Sequence, residues 1–379
     1  MSSGSRATRA WQNRLSGRRK PLALSRSILS AENKAESCCW QGVGVVTRAA
    51  RNTSTNQGHQ NGIHLPATAM IQRRAGVSTD GVQDCALSIS LGDIWMDILA
   101  FIVDGLLIGF VYSIAAMGLT LIWGVMNVIN LSHGSIIALG MFGVYYAFVE
   151  LGINPYLGVL LVSVGGLLMG MVIYVIAIHR VINAPHLSTL LSTFSVNMII
   201  IGLGTSAFST SFRNVDYSLG GRTIGPVNLQ GTRVVAALAA LLVMAALYTF
   251  LYRTTLGKYV RAVADNRAAA ELMGIPSARV LAFSFGLGTM LAAIAGGLIA
   301  TFFPFTILSG GSYELKSFVI GVLGGVGNPL GALLGGLILG VFEGVIPYFM
   351  ETSWVPVLEF VLFVVILLVR PTGILGTRK

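Results

Sequence analysis

Charge is what this sequence has least of. Only 11% of its 379 residues are Asp, Glu, Lys or Arg, against roughly 25% in ordinary soluble domains. So few charges cannot cover a water-exposed surface, and the mean hydropathy of +0.76 points the same way. Cysteine is nearly absent as well: Cys38, Cys39 and Cys85 all lie in the first 95 residues and show neither zinc nor redox spacing, which leaves the rest of the chain without disulfide or thiol chemistry. A phosphate-cradling G-x-x-x-x-G-K-[ST] run, the mark of one kind of nucleotide site, is missing. No nucleophile is paired with a base and an orienting acid, so the chain is not expected to be an enzyme.

What is present in quantity is uncharged apolar sequence. No Asp, Glu, Lys or Arg occurs in the 45 residues from Gly105 to Val149, the 32 from Val181 to Phe212, or the 34 from Val280 to Tyr313. A helix needs about 20 apolar residues to cross the hydrocarbon core, and one buried soluble helix cannot explain three such runs. The fold class expected is all-α: a polytopic transmembrane bundle of about eight full spans plus two short discontinuous segments.

The net charge of +10 is unevenly placed. Residues 1–95 carry 12 Lys+Arg against 5 Asp+Glu, whereas 96–379 carry 13 against 10. The first 95 residues are rich in Arg, Ser, Asn, Gln and Gly and contain no spanning run, a composition that favours disorder, and no secretory h-region. They read as a basic extension outside the working protein, with Met96 as the expected start of the transmembrane domain 96–379; a transit peptide or a basic arm for anionic lipid or nucleic acid are the alternatives.

Apolar runs and their breakers place segments near 97–117, 118–129, 134–150, 157–178, 188–208, 234–252, 278–302, 317–327, 331–349 and 355–369. Positive charge in short loops sets orientation. The loop 253–279 holds Arg253, Lys258, Arg261, Arg267 and Arg279, and the tail holds Arg370, Arg378 and Lys379, so both are expected in the cytoplasm. Counting back puts 209–233 outside, 180–187 inside and, if the short 118–129 segment crosses, the N-terminus inside. The short segments 118–129 and 317–327 are followed by the breaks "NVINLSHGS" and "GGVGNPLG". Interrupted helices at membrane depth are tolerated where they are buried in protein or line an aqueous cavity, and in transporters such pairs mark the pathway.

Four constellations stand out. Asn127, Asn130, Ser132, His133, Gly134 and Ser135 form a polar cluster in apolar surroundings; Ser132 reads as a helix cap, with the asparagines satisfying backbone at the break, and the same residues read as pathway lining. In the helix 331–349, Gly336, Gly340 and Gly344 recur every four residues and Gly331 and Gly335 repeat the spacing, a pattern for close helix packing. Glu343 falls on or beside that packed face and is a pathway candidate as an intramembrane charge; Lys316 is its candidate partner, or else snorkels to the interface. Asp104 is expected in a helix contact near the interface. In the loop, "GKYVRAVADNRAAAELMGIPSAR" spans Gly257 to Arg279, with Asp265 as N-cap, Gly274 past the end and Pro276 blocking continuation. That leaves about eight residues, roughly 12 Å of helix. Ala269, Leu272 and Met273 form an apolar face and Arg267 and Glu271 an i,i+4 pair, suited to the membrane surface or to a partner's groove.

"GLTLIWGVMNVINLSHGS", "GKYVRAVADNRAAAELMGI", "KSFVIGVLGGVGNPLGALLGGLILGVFE" and "RPTGILG" together resemble the permease subunits of branched-chain amino acid ABC transporters, in order over about 97–376. The loop resembles the coupling motif of ABC importer permeases, Glu-Ala-Ala followed by three residues and Gly. Aligned on Gly274, Ala269 and Ala270 match, while Ala268 stands where that motif has Glu. The resemblance implies that Arg267, Ala269, Ala270, Glu271, Leu272, Met273 and Gly274 dock in a cleft of a cytoplasmic ATPase that binds the ATP. It further implies a second homologous permease, two ATPase subunits, a periplasmic substrate-binding protein, a lipid-embedded position in the bacterial inner membrane and no nucleic acid partner. Branched-chain amino acids are the expected cargo; urea or short amides, or an ion-coupled secondary transporter using Glu343, are the alternatives.

Overall fold

The computed structural model describes residues 91–224, 227–370 and 373–376. Residues 1–90 of the expected basic extension, and Arg378 and Lys379 of the tail, lie outside them. The first helix begins at Leu91, ahead of the expected boundary at Met96.

The architecture is the all-α membrane bundle expected. The helices are α1 (Leu91–Met126), α2 (His133–Val149), α3 (Pro155–Ile173, prolonged by a π turn Tyr174–Ile178), α4 (His186–Phe208), α5 (Gly231–Arg253), α6 (Thr255–Asp265), α7 (Arg267–Leu272), α8 (Ser277–Ile299), α9 (Gly310–Gly324), α10 (Pro329–Phe349) and α11 (Val355–Val369). A two-stranded antiparallel hairpin, β1 (Gly221–Ile224) with β2 (Val227–Gln230), joins α4 to α5. Among the described residues seven helices are long and apolar enough to cross a membrane, and α2 is a shorter apolar helix of 17 residues. Helix α8 is the central post, buried over nearly its whole length. The outward faces of α3, α4 and α11 are aliphatic, with Leu160, Val164, Leu203, Val361 and Leu368 each more than half exposed, as a lipid-facing surface requires.

The structure corrects the expected separate segment at 118–129. Residues 91–126 form one helix of 36 residues. Gly118, at the expected boundary, is not a breaker: a Cβ there would meet the Gly288 carbonyl oxygen at 2.5 Å and the His133 ring at 3.1 Å. A glycine inside a helix costs about 1 kcal/mol, less than the several kcal/mol for each backbone group left unpaired in hydrocarbon. The helix therefore runs through, and the glycine serves close packing.

Helix directions follow from the contacts. Against α1, Gly336 meets Ser113, Gly340 meets Gly109 and Gly344 meets Gly105, so α10 is antiparallel to it. Helix α9 runs alongside α1 in the same sense, with Tyr112 beside Tyr313 (6.0 Å) and Trp123 stacked on Phe318 (5.9 Å). The end of α1 thus lies with the 325–328 break, where Gly124 touches Gly327. Its beginning lies with the start of α5, through an Arg233–Asp104 ion pair. Two faces result: a loop face with the 254–276 connection, the end of α1 and the C-terminal tail, and a hairpin face with the β-ribbon and the first part of α1. Because α1 crosses once where two segments were expected, the beginning of the described chain falls on the face opposite the basic loop, reversing the parity read from sequence.

Candidate translocation pathway and coupling surface

Both expected breaks are present. In the first, Asn127 leaves the helix with a left-handed φ of 54°, and residues 127–132 are non-helical. Ser132 occupies the N-cap position of α2 without capping it; its hydroxyl instead donates to Asn130 Oδ1 at 2.7 Å, and its backbone N–H reaches the same oxygen at 3.2 Å. His133 is fully buried and its Nε2 donates to the Ala115 carbonyl at 2.8 Å, which ties the restart of the chain to α1. Gly134 is pressed against the backbone of Gly310 and the side chain of Glu314. Of the six residues read as pathway lining here, Asn130, Ser132, His133, Gly134 and Ser135 are buried in this local network, and Asn127 alone faces outward. Asn130 Nδ2 and His133 Nδ1 are buried without a hydrogen-bond partner among the described residues.

In the second break Gly325 and Gly327 adopt φ of 103° and 80°, and Asn328 caps α10 by accepting from Leu330 and Gly331 N–H. The closing "RPTGILG" has a physical task at this point. Ile374 N–H donates to Leu323 O at 2.8 Å and Leu375 N–H to Gly324 O at 3.1 Å, so the tail satisfies carbonyls that the end of α9 leaves free.

Helix α10 uses its glycines on two sides. Gly336, Gly340 and Gly344 bring its backbone against Ser113, Gly109 and Gly105 of α1, while Gly331 and Gly335 lie against Gly324 and Ile320 of α9. Lipid tails provide no hydrophobic drive between helices, so such backbone approach is what holds them together.

Glu343 and Lys316 are brought together. Lys316 Nζ lies 2.6 Å from Glu343 Oε2, and Tyr112 OH donates to Glu343 Oε1 at 3.2 Å. Lys316 lies inside α9, which starts at Gly310 rather than near residue 317 as expected. Sequence reasoning missed the third member: Glu359 of α11 stands 3.3 Å from the same ammonium with its side chain 7% exposed. The signal was available, since Glu359 is the one charge in the apolar run 355–369. The network links α1, α9, α10 and α11. Lys316→Met would leave two carboxylates facing each other, and breaking a buried pair costs about 3–5 kcal/mol. Lys316 and Glu343 keep 15% and 19% of their side chains exposed, so the low end applies. The variant is expected to melt several degrees below wild type in detergent, with Glu343→Gln added to it recovering part of the loss; an unchanged melt would show that the network holds nothing together.

The basic loop is two helices, not one. Helix α6, not foreseen, is capped by Thr254, whose hydroxyl accepts from Gly257 N–H, and buries Val260 and Val263. Helix α7 is shorter than expected. Its N-cap is Asn266, accepting from Ala269 N–H at 3.0 Å, while Asp265 ends α6. Gly274 takes φ of 81°, as a residue past a helix end does. Arg267 donates to Glu271 at 3.2 Å and to Asn183 Oδ1 at 3.1 Å, in the turn after α3. Of the alanines, Ala270 is buried and Ala269 exposed. Leu272 is 90% and Met273 81% exposed, an apolar tip projecting from the loop face.

Comparison with known proteins places this arrangement. The family model described as branched-chain amino acid transport system / permease component matches residues 101–369. The chain is 31% identical to the high-affinity branched-chain amino acid transport system permease protein LivH of Escherichia coli K12, over 72% of this chain and 94% of that one. It is 29% identical to BraD of Pseudomonas aeruginosa, a permease protein of the same description, over 73% and 94%, and 28% identical to a probable LivH of Methanocaldococcus jannaschii, over 69% and 87%. With both breaks, the glycine-packed α10 and the loop inside the matched region, this multi-pass membrane chain belongs to the branched-chain amino acid transport system permease family.

Proposed function

We propose that this chain is the membrane-spanning subunit of an ATP-driven importer that carries leucine, isoleucine and valine across the bacterial inner membrane. The observation that carries the reading is the tip of α7. Two large apolar side chains, Leu272 and Met273, stand almost fully exposed at the end of a capped helix on the basic loop, where a groove on a partner would cover them. The loop face is cytoplasmic, by the positive charges of 253–279.

Two cytoplasmic ATPase subunits bind and hydrolyse ATP, and the work enters through α7. The chain holds no cofactor, performs no catalysis and contacts no nucleic acid. A second, homologous permease completes the pathway, and a periplasmic binding protein delivers the amino acid to the hairpin face. Asn127 lies in the first break, and Lys316 and Glu343 tie together α9 and α10, the two helices that flank the second; all three belong to the elements that move. Aliphatic cargo fits a bundle whose interior is mainly aliphatic.

The test is uptake of labelled leucine by cells expressing the chain with its partner genes. Excess unlabelled isoleucine or valine is expected to compete and excess urea is not; competition by urea, with none by isoleucine or valine, would assign the amide class instead.

A further inference from the structure

Beside the first break lies a cavity of about 410 Å³, lined by Trp123, Asn127, Ile129, His186, Thr189 and Leu190. The volume is within the roughly 300–1,000 Å³ of small-molecule pockets. It opens at the loop face, between the end of α1 and the first turns of α4. Thr193, one turn further along α4, reaches the Ile129 carbonyl at 3.3 Å and pins that helix to the break. Another cavity, between α2 and α3, is lined mainly by apolar side chains but carries the Glu150 carboxylate.

The lining has a particular chemistry. Trp123, Ile129 and Leu190 form an apolar part, and Asn127, Thr189 and His186 a polar part, with no carboxylate, lysine or arginine. Thr189 is buried and donates its hydroxyl hydrogen to the His186 carbonyl at 2.8 Å, which leaves its lone pairs free to accept. An acyl chain here would leave three polar side chains against hydrocarbon, an unfavourable arrangement. A cargo with a charged side chain would find no counter-charge. A zwitterion with a short aliphatic side chain matches both parts.

We propose that this cavity is the last station of the imported amino acid before release. Its side chain rests among Trp123, Ile129 and Leu190, and its ammonium and carboxylate groups on Thr189, Asn127 and His186. The inference rests on the amino acid reading above. Trp123 also stacks on Phe318 of α9, so a cargo in the cavity touches the ring that touches the helix carrying Lys316.

The test uses the complete transporter in inside-out vesicles, with Cys38, Cys39 and Cys85 replaced by Ser and Leu190→Cys introduced. A membrane-impermeant thiol reagent added from the cytoplasmic side is expected to label the new thiol. Leucine at ten times its half-saturating concentration is expected to slow labelling about tenfold, the factor 1 + [L]/Kd, and lysine is expected not to. Labelling that leucine does not slow overturns the proposal, as does a thiol that reacts in the chain alone but not in the assembly, which would mean that a partner subunit fills the cavity. As a second readout, Leu190→Trp should reduce leucine uptake about tenfold, a barrier change near 1.4 kcal/mol, while Leu203→Trp on the outer face of the same helix should not; equal uptake by the two overturns the proposal. Right-side-out wild-type vesicles, with ATP inside and binding protein outside, that accumulate no leucine would overturn the functional reading as well, whereas wild-type transport in these with an unprotected thiol in the inside-out vesicles overturns this inference alone.

Discussion

Leu272→Asp is expected to strip the ATPase from the purified membrane assembly while leaving the chain itself folded. Leu272 is 90% exposed, so it contributes little to the permease's own packing, and a charge there costs the isolated chain almost nothing. Seated in a partner's groove, the same side chain would be a central apolar anchor. Loss of such an anchor costs about 2 kcal/mol or more, which is roughly thirtyfold in affinity, before the burial of a carboxylate is added. Pull-down of ATPase through a tag on the permease should fall by that order, with membrane insertion and the melting temperature in detergent unchanged. Gly274→Pro should act in the same direction, because φ at 274 is 81° and proline is fixed near −65°. Normal amounts of ATPase recovered with Leu272→Asp would remove α7 from the contact.

The second large effect is expected at Gly340. A Cβ there would collide with the backbone of Gly109 and Gly105, and backbone cannot yield as a flexible side chain does. Gly340→Leu must push α1 from α10 over the most extensive helix contact in the bundle. Overpacking costs about 1–3 kcal/mol in soluble cores; where rigid backbone faces rigid backbone along the whole seam, the upper end applies. Gly202→Leu is the internal control, since a Cβ at Gly202 meets nothing within 4 Å. The first variant should yield markedly less folded protein from membranes, with a melting temperature lowered by several degrees, and the second should match wild type. Equal behaviour of the two variants would show that the α1–α10 seam is not what the glycines serve.

Much of this was readable in the sequence because lipid leaves a chain few choices. Long uncharged runs must be helices, since no other element satisfies its own backbone in hydrocarbon, and α3, α4, α5, α8, α10 and α11 fall where the runs do. The two breaks were legible for the converse reason, through Asn127 to Ser132 and Gly325 to Pro329. The glycine spacing on α10 showed that one face is packed, but not that α1 covers it, because a repeat names no partner.

The misreadings share a cause. Gly118 stands at a boundary that the apolar runs suggest, and whether a glycine breaks a helix or admits a neighbour depends on Gly288, far along the chain. Asp265 and Asn266 are adjacent and equally good caps, and the burial of Val260 and Val263 in α6 decided which served. The partnership of Glu359 with Lys316 needed α11 folded against α9. In the candidate pathway, His186, Thr189 and Leu190 carried no sequence signal at all; only the packing of α4 on the break joins them to Asn127 and Trp123.

The central claim is that this bundle has no energy source of its own and is driven from the cytosol through α7. The most direct measurement is leucine accumulation in proteoliposomes, comparing the complete assembly, with ATP on the side of the basic loop and binding protein on the other, with vesicles holding this chain alone under a sodium or proton gradient. The account predicts accumulation that needs ATP in the first and none in the second. Gradient-driven accumulation by the chain alone, without nucleotide, would contradict it.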